Sequence, residues 1–225
     1  MQSKTGTFLC FTRPTVSGGI RKGAFVKNII FDIGNVLVDW DWPGYVHRLF
    51  DNEDVIRTLN EGYWKNSLWQ EMDRGAISQE TIYRELLHSA GQYRAEMELA
   101  YKRIGECISL FDYTDPWIDE LHDRGYRVYY LSNYSDYLIH ENPEALEFTK
   151  KMEGGIFSCY VKLIKPDLAI YDRICKRYDL KPEECLFIDD KPINVIAAKE
   201  YGMHAIRFEG YEKTRPVIEA YLQNH

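Results

Sequence analysis

Polar residues that could do chemistry stand at or shortly after the ends of four apolar runs in this sequence. They are Asp32, Ser132 with Asn133, Lys165, and the adjacent pair Asp189 and Asp190. Carboxylates suit a divalent cation, whereas a hydroxyl and an ammonium group suit an anion. Gathered in one place, these groups would hold a metal ion beside an anionic substrate.

The apolar runs have the composition of buried strands. Residues 26–31, 128–131 and 186–188 are rich in β-branched, aromatic and leucine side chains, and each run stops at a polar residue. The fourth run, residues 156–157, is shorter and precedes Lys165. They alternate with helical patterns, which predicts an α/β fold with an open, doubly wound parallel sheet. Ligands of such sheets bind beyond the carboxyl ends of the strands, so we expect the four polar groups to meet there.

One segment interrupts this alternation. Residues 45–105 carry apolar side chains at helical spacing and no convincing strand, and Ser78 has the position of a helix N-cap. We therefore predict an α/β core of residues 26–44 and 106–225, with an all-helical insertion at 45–105. Residues 1–25 show no periodicity and are predicted to be an extension ahead of the fold.

Charge and composition exclude several classes of partner. The chain has 28 Lys and Arg against 35 Asp and Glu, and the resulting net charge of −7 opposes binding to nucleic acid or anionic membrane. No apolar run approaches the ~20 residues that cross a bilayer. The five cysteines form no Cys-x-x-Cys pair, so neither a disulfide framework nor a zinc site is predicted. We expect a cytoplasmic protein that is a monomer or a weak homodimer.

The order of the polar groups resembles that of a known family. Residues 31–39 (FDIGNVLVD), 131–133 (LSN), 165–167 (KPD) and 187–190 (FIDD) resemble the four motifs of the haloacid dehalogenase (HAD) superfamily, and the insertion is similar to its helical C1 cap. The resemblance covers about residues 26–210. It implies a HAD-like, Rossmannoid three-layer core with a parallel sheet plus the inserted cap. The form of the first motif and the stretch at 75–78 look most like bacterial sugar-phosphate phosphatases, including those that act on α-glucose 1-phosphate.

The resemblance also implies a mechanism and a cofactor. Asp32 would attack the phosphorus of a small phosphorylated metabolite and form an aspartyl-phosphate, which water then hydrolyses. Mg²⁺ would be bound by Asp32, Asp190 and the backbone carbonyl of Gly34.

The remaining motif residues would support the phosphoryl group and the metal. Ser132 and the backbone N–H of Asn133 would bind phosphoryl oxygens, and Lys165 would supply positive charge and restrain Asp32. Asp189 and Asn194 would orient the ligands or a metal-bound water without binding the metal directly.

The sequence departs from the family at position 34. Most phosphatases of the superfamily have a second Asp there, which protonates the leaving alcohol and activates water, whereas this chain has Gly34. Loss of a positioned acid and base costs ~10²–10⁴-fold in rate. The function could survive through Asp39, a cap residue, a metal-bound water or a good leaving group.

Two other readings remain open at this stage. A 2-haloacid dehalogenase also lacks this Asp, but the adjacent Asp189 and Asp190 would repel each other without a cation. A noncatalytic phosphate-binding or regulatory protein would need no proton donor. Asp39 could equally be a turn residue without a role in proton transfer. Three aromatic residues are candidates to bind a sugar ring: Trp42, Tyr45 and Trp69.

Overall fold

A parallel sheet forms the centre of the computed structural model, which describes residues 25–64 and 68–224, with Trp64 described by its backbone alone. The sheet has the strand order β5-β4-β1-β6-β7, and every neighbouring pair is parallel. β1 lies in the middle, between β4 and β6. The described strands are β1 (Asn28–Phe31), β2 (Val38–Trp40), β3 (Ile108–Leu110), β4 (Arg127–Ser132), β5 (Gly154–Phe157), β6 (Cys185–Asp189) and β7 (His204–Arg207).

Helices cover both faces of the sheet. Alternate side chains of β1 point to opposite faces, as the period of a strand requires: Ile29 and Phe31 pack in one apolar cluster and Ile30 in another. The core helices are α6 (Thr114–Asp123), α7 (Asp136–Glu141), α8 (Ser158–Val161), α9 (Leu168–Tyr178), α10 (Pro192–Tyr201) and α11 (Tyr211–Asn224). The predicted three-layer α/β core is thereby confirmed.

The insertion is helical, as the sequence predicts. Its helices are α1 (Trp42–Leu49), α2 (Glu53–Trp64), α3 (Leu68–Asp73), α4 (Gln79–Ser89) and α5 (Arg94–Lys102). The first of them begins at Trp42, before the predicted start at residue 45. Ser78 is the N-cap of α4 and its hydroxyl accepts a hydrogen bond from the backbone N–H of Thr81.

A short antiparallel ribbon joins the cap to the core. β2 pairs with β3, so the chain leaves the core and returns to it side by side. The ribbon is tied to α6, because the Thr114 hydroxyl donates to the carbonyl of Leu37 at 2.6 Å and the Tyr113 hydroxyl donates to that of Val36 at 2.7 Å. The base of the cap is therefore held against the core at the start of α6. The predicted extension at residues 1–25 lies almost wholly outside the described residues.

Candidate active site

Three of the four predicted polar groups line one cavity of about 280 Å³ beyond the carboxyl ends of the strands. From the fourth segment, Lys191 and Asn194 belong to the described lining, whereas Asp189 and Asp190 lie beside it. Asp32 and Gly34 come from the segment after β1, and Ser132 and Asn133 from the end of β4. Lys165 reaches the same cavity from the loop before α9. Because β1 and β4 are parallel neighbours, their carboxyl ends lie side by side. Strand order thus brings residues 32 and 132 together although they are far apart in the sequence, and the loop before α9 adds Lys165.

Lys165 links two of the carboxylates. Its ammonium lies 2.8 Å from Oδ1 of Asp32 and 2.7 Å from Oδ2 of Asp189, and all three side chains are buried. The Asn133 side chain clamps the Lys165 backbone, because its Nδ2 donates to the Lys165 carbonyl at 3.0 Å and its Oδ1 accepts from the Lys165 N–H at 2.8 Å. The lysine is thus positioned at both ends.

Both carboxylate oxygens of Asp189 are occupied by hydrogen bonds and an ion pair with neighbouring residues. Besides Lys165, it accepts hydrogen bonds from the Lys191 backbone N–H at 2.8 Å and from Nδ2 of Asn194 at 3.0 Å to each oxygen. Although burial opposes ionisation, the Lys165 ammonium and these bonds hold the pKa of Asp189 below its ordinary value. Asp189 is an ionised anchor for Lys165.

Asp190 has the opposite environment. Its Oδ1 is buried and makes no hydrogen bond within the part of the chain that the structure describes. Asp32, Asp189 and Asp190 offer carboxylate oxygens that lie within 4.8 Å of one another. An all-oxygen donor set with one unsatisfied buried oxygen fits a hard cation such as Mg²⁺. Gly34 lines the adjoining cavity, and its carbonyl remains a predicted ligand.

Asp32 combines a held oxygen with a free one. Oδ1 accepts from Lys165 and from the Ile33 backbone N–H at 2.8 Å, whereas Oδ2 has no hydrogen bond inside the described ranges. Burial, together with the charges of Asp189 and Asp190, raises the pKa of Asp32 to about 6 against the opposing effect of Lys165. A cation bound beside it would favour the ionised form. Oδ1 is therefore fixed by its partners, and Oδ2 is the oxygen left available to a molecule or an ion in the cavity.

The ribbon places Asp39 away from this chemistry. Val38 and Trp40 line the cavity, and the intervening Asp39 does not. Successive side chains of a strand point to opposite faces, and the charge of Asp39 acts instead on the hydroxyl of Tyr113. The predicted proton relay through Asp39 has no support in this arrangement.

Aromatic side chains of the cap and of the ribbon form one wall of the cavity, which we call the cap wall. Trp40, Tyr63 and Trp69 line it; Nε1 of Trp40 donates to the Tyr63 hydroxyl at 3.1 Å, and the Tyr63 and Trp69 ring centroids are 4.6 Å apart. Of the three aromatic candidates from the sequence, only Trp69 is here. Trp42 and Tyr45 are fully buried in the cap and pack behind this wall.

One further carboxylate lines the cavity, and sequence analysis missed it. Asp73 ends α3 of the cap and lies across the cleft from Asp32. The sequence shows it only as the first residue of the turn before Ser78. A signal was present, since Asp73 stands two residues before the stretch at 75–78 that carries part of the family resemblance. The direction of its side chain, however, depends on how the cap contacts the core.

A comparison with protein families decides the identity of the chain. Residues 5–202 match the family described as haloacid dehalogenase-like hydrolase. The chain belongs to this family.

Of the helices in the described ranges, none is both long and apolar enough to span a bilayer.

Several characterised relatives of this HAD-like hydrolase are phosphatases. It is 28% identical over 178 residues to a sesquiterpene phosphatase from Aspergillus oryzae, which covers 79% of this chain and 87% of the relative. It is 26% identical over 211 residues to a D-ribitol-5-phosphate phosphatase from Bacteroides thetaiotaomicron, covering 88% and 100%. A (S)-2-haloacid dehalogenase from Burkholderia cepacia is 26% identical over 151 residues, covering 67% and 62%.

Solved structures share the fold of this HAD-like hydrolase. A HAD-like family hydrolase from Porphyromonas gingivalis superposes with a TM-score of 0.69 at 25% identity and covers 89% of this chain and 99% of its own. A HAD-family enzyme from Bacteroides thetaiotaomicron in complex with magnesium and inorganic phosphate gives a TM-score of 0.63 at 20% identity, covering 81% and 93%. At 20% identity, the similarity to the Bacteroides enzyme shows a shared fold and nothing about function.

Proposed function

We propose that this HAD-like hydrolase is a Mg²⁺-dependent phosphatase that hydrolyses a small phosphomonoester through an aspartyl-phosphate intermediate. The observation that carries the proposal is the buried Asp32, whose Oδ1 is held by Lys165 while three carboxylates offer oxygens within 4.8 Å. A phosphate ester repels an anionic nucleophile unless positive charge and fixed donors offset its own charge. This cavity provides both.

Each residue has a task in that reaction. Oδ2 of Asp32 attacks phosphorus, the Ser132 hydroxyl and the Asn133 backbone N–H bind phosphoryl oxygens, and the Lys165 ammonium offsets their charge. Asp189, bonded to Lys165, keeps that ammonium in place. Mg²⁺ bound by Asp32, Asp190 and the Gly34 carbonyl would supply further positive charge to the phosphoryl group.

The leaving group is proposed at the level of a class. A sugar phosphate is the substrate that the sequence predicts, and the ribitol-phosphate phosphatase among the relatives supports it. The aromatic cap wall supports a second candidate, a phosphate ester with a flat or apolar leaving group, because Trp40, Tyr63 and Trp69 offer large apolar surfaces. The sesquiterpene phosphatase relative agrees with that candidate. The cytoplasmic location and the monomeric or weakly dimeric state stay predictions.

Phosphate release across a substrate panel tests the proposal. The panel contains glucose 1-phosphate, ribitol 5-phosphate, phenyl phosphate and farnesyl phosphate, each with Mg²⁺ and with EDTA. We expect Mg²⁺-dependent turnover that Asp32→Asn lowers by at least ~10⁴-fold, since the variant removes the nucleophile. Asp172→Asn, an exposed carboxylate on α9, is the matched control and keeps wild-type activity.

Two results would contradict the proposal. Halide release from 2-chloropropionate that EDTA does not affect, with no phosphate release, would indicate a dehalogenase. Binding of beryllium fluoride with no turnover of any ester would indicate a noncatalytic phosphate-binding protein.

A further inference from the structure

Asp73 is the one carboxylate that the cap contributes to the described lining of the cavity. It stands at the end of α3, among side chains that include Asp32, Lys165 and Lys191. Within the ranges that the structure describes, no hydrogen bond or ion pair holds its carboxylate. The group is therefore available to a molecule in the cavity.

The backbone around Asp73 is, in contrast, fastened to the core. The Ser158 hydroxyl donates to the Asp73 carbonyl at 2.5 Å, and the Lys162 ammonium donates to the Gly75 carbonyl at 2.5 Å. Nη1 of Arg74 lies 3.2 Å from Oδ2 of Asp167, next to the loop that carries Lys165. These contacts fix where the free carboxylate stands.

Gly75 allows this close approach. Its φ is +70°, and a Cβ built there would lie 2.6 Å from the Cys159 carbonyl oxygen. Only glycine fits such a backbone against a neighbouring chain. The turn that follows Asp73 is thus shaped to press against the core beside the cleft.

The surroundings of Asp73 favour a carboxyl group that exchanges its proton near neutral pH. Burial, with a contribution from Asp32, raises its pKa to about 7, while Lys191 and Lys165 oppose the rise. Burial raises the pKa values of three neighbouring groups, and the charge of Asp73 adds to the rise. They are Tyr63 of the cap and Tyr134 and Cys159 of the core. A general acid and base works best with a pKa near the working pH.

Position 34 shows what such a group would replace. In the family pattern the residue two after the nucleophile carries the acid, and this chain has Gly34 there. A Cβ built at Gly34 meets nothing within 4 Å, so space beside Asp32 is open on that side. A proton donor must then reach the leaving oxygen from another wall of the cavity.

We propose that Asp73 is the catalytic general acid and base of this site, acting across the cleft from Asp32. The assignment rests on the proposed phosphatase function. In the first step an Asp32 oxygen bonds to phosphorus, the bond between phosphorus and the leaving oxygen breaks, and the Asp73 carboxyl gives its proton to that oxygen. In the second step water attacks phosphorus, its proton passes to the Asp73 carboxylate, and the bond between phosphorus and Asp32 breaks to release phosphate.

Leaving groups that differ in basicity test this role. Phenyl phosphate has a basic leaving oxygen whose departure is assisted by a proton, whereas 2,4-dinitrophenyl phosphate releases a stable anion. With Asp73→Asn we expect kcat for phenyl phosphate to fall by ~10²–10⁴-fold. Dinitrophenol should appear in a burst of about one equivalent followed by slow turnover, because the attack on phosphorus survives while water is no longer activated. Asp73→Glu should retain more activity than Asp73→Asn on both substrates.

A second variant restores the acid from the other side. Gly34→Asp in the Asp73→Asn background places a carboxylate where the family has one, and we expect it to raise the phenyl phosphate rate by at least ~10-fold. Asp39→Asn is the matched control, because Asp39 lies on the far face of the ribbon, and it should leave both rates within about twofold of wild type.

Defined outcomes overturn the assignment. An equal loss on both aryl phosphates without a burst would show that Asp73 only positions the substrate or the cap, and no loss at all would show that it has no part. A wild-type protein that hydrolyses neither aryl phosphate nor any other ester of the panel would overturn the proposed function itself. Thermal unfolding of each variant separates a lost fold from a lost proton donor, and Asp73→Ser serves if Asp73→Asn does not fold.

Discussion

The core wall and the cap wall of the cleft differ in how their polar groups are held. On the core wall, Asp32, Lys165 and Asp189 are buried and joined by ion pairs of 2.8 and 2.7 Å. On the cap wall, the rings of Trp40, Tyr63 and Trp69 line the cavity, and Asp73 keeps a carboxylate without a bonded partner in the described residues. The difference suggests a division of labour, in which the core binds the phosphoryl group and the cap handles the leaving group.

Loss of Lys165 should have the largest effect, because it damages the core wall itself. Lys165→Ala leaves Asp32 and Asp189 buried without their cation, and breaking a buried ion pair typically costs about 3–5 kcal/mol. We expect that loss in the free energy of unfolding by urea denaturation, together with loss of turnover. Lys176→Ala is the control, since its exposed pair with Asp172 contributes at most ~1 kcal/mol. Equal costs for the two variants would show that the core wall is not electrostatically organised.

Truncation of the cap wall should affect the leaving group alone. Trp69→Ala removes a ring that packs on Tyr63, and we expect kcat/KM for phenyl phosphate to fall by about 5–30-fold, equivalent to ~1–2 kcal/mol. The inhibition constant for inorganic phosphate should not change, because in the proposed mechanism phosphate binds to the core wall. Tyr160→Ala, an exposed aromatic outside this cavity, is the control. A parallel rise in the phosphate constant would contradict the division between the walls.

A further expected effect is a pH dependence of stability in the metal-free protein. The pKa of Asp73 is 3.8 in an ordinary environment and about 7 in the fold. Because the folded value is the higher one, the contribution of Asp73 is fully present below pH 3.8 and is lost as the pH rises through about 7. Asn does not titrate, so the melting temperature of Asp73→Asn should rise relative to wild type between about pH 5 and pH 8.

A surface carboxylate provides the control for that measurement. A hydrogen bond from Lys176 holds the pKa of Asp172 below its ordinary value, so Asp172 stays ionised throughout the range. Asp172→Asn should therefore shift the melting temperature by the same amount at both pH values. If Asp73→Asn also shifts the melting temperature equally at both pH values, the Asp73 carboxyl is solvated. That result would contradict the conclusion that burial in the cap wall raises its pKa.

Local patterns predicted most of the sheet and the cap. The run that ends at Asp32 forms β1, the runs at 128–131 and 186–188 lie within β4 and β6, and Ser78 caps α4. These elements follow from the periodicity of side chains and from capping, which act over a few residues. The HAD family and its helical cap were also predicted correctly, because four ordered motifs at strand ends are specific together.

The ribbon and the cap wall were not predicted, for a different reason. β2 and β3 have three residues each, too few to show a period, and they pair across the whole insertion. Without the ribbon, the direction of Asp39 could not be inferred. Asp73 was likewise seen only as a turn residue, because its direction depends on contacts of the cap with α8 and with the loop after it.

The amino-acid sequence by itself determined which strands end in polar groups and in what order those groups occur. It also determined that position 34 carries no acid. Only the tertiary structure decided which carboxylate faces Asp32 from the cap and which aromatic rings close the cavity. The carboxyl ends of neighbouring parallel strands always lie at the same edge of a sheet, so the sequence predicts that these residues meet. The position of a cap on its core depends instead on individual contacts between distant segments.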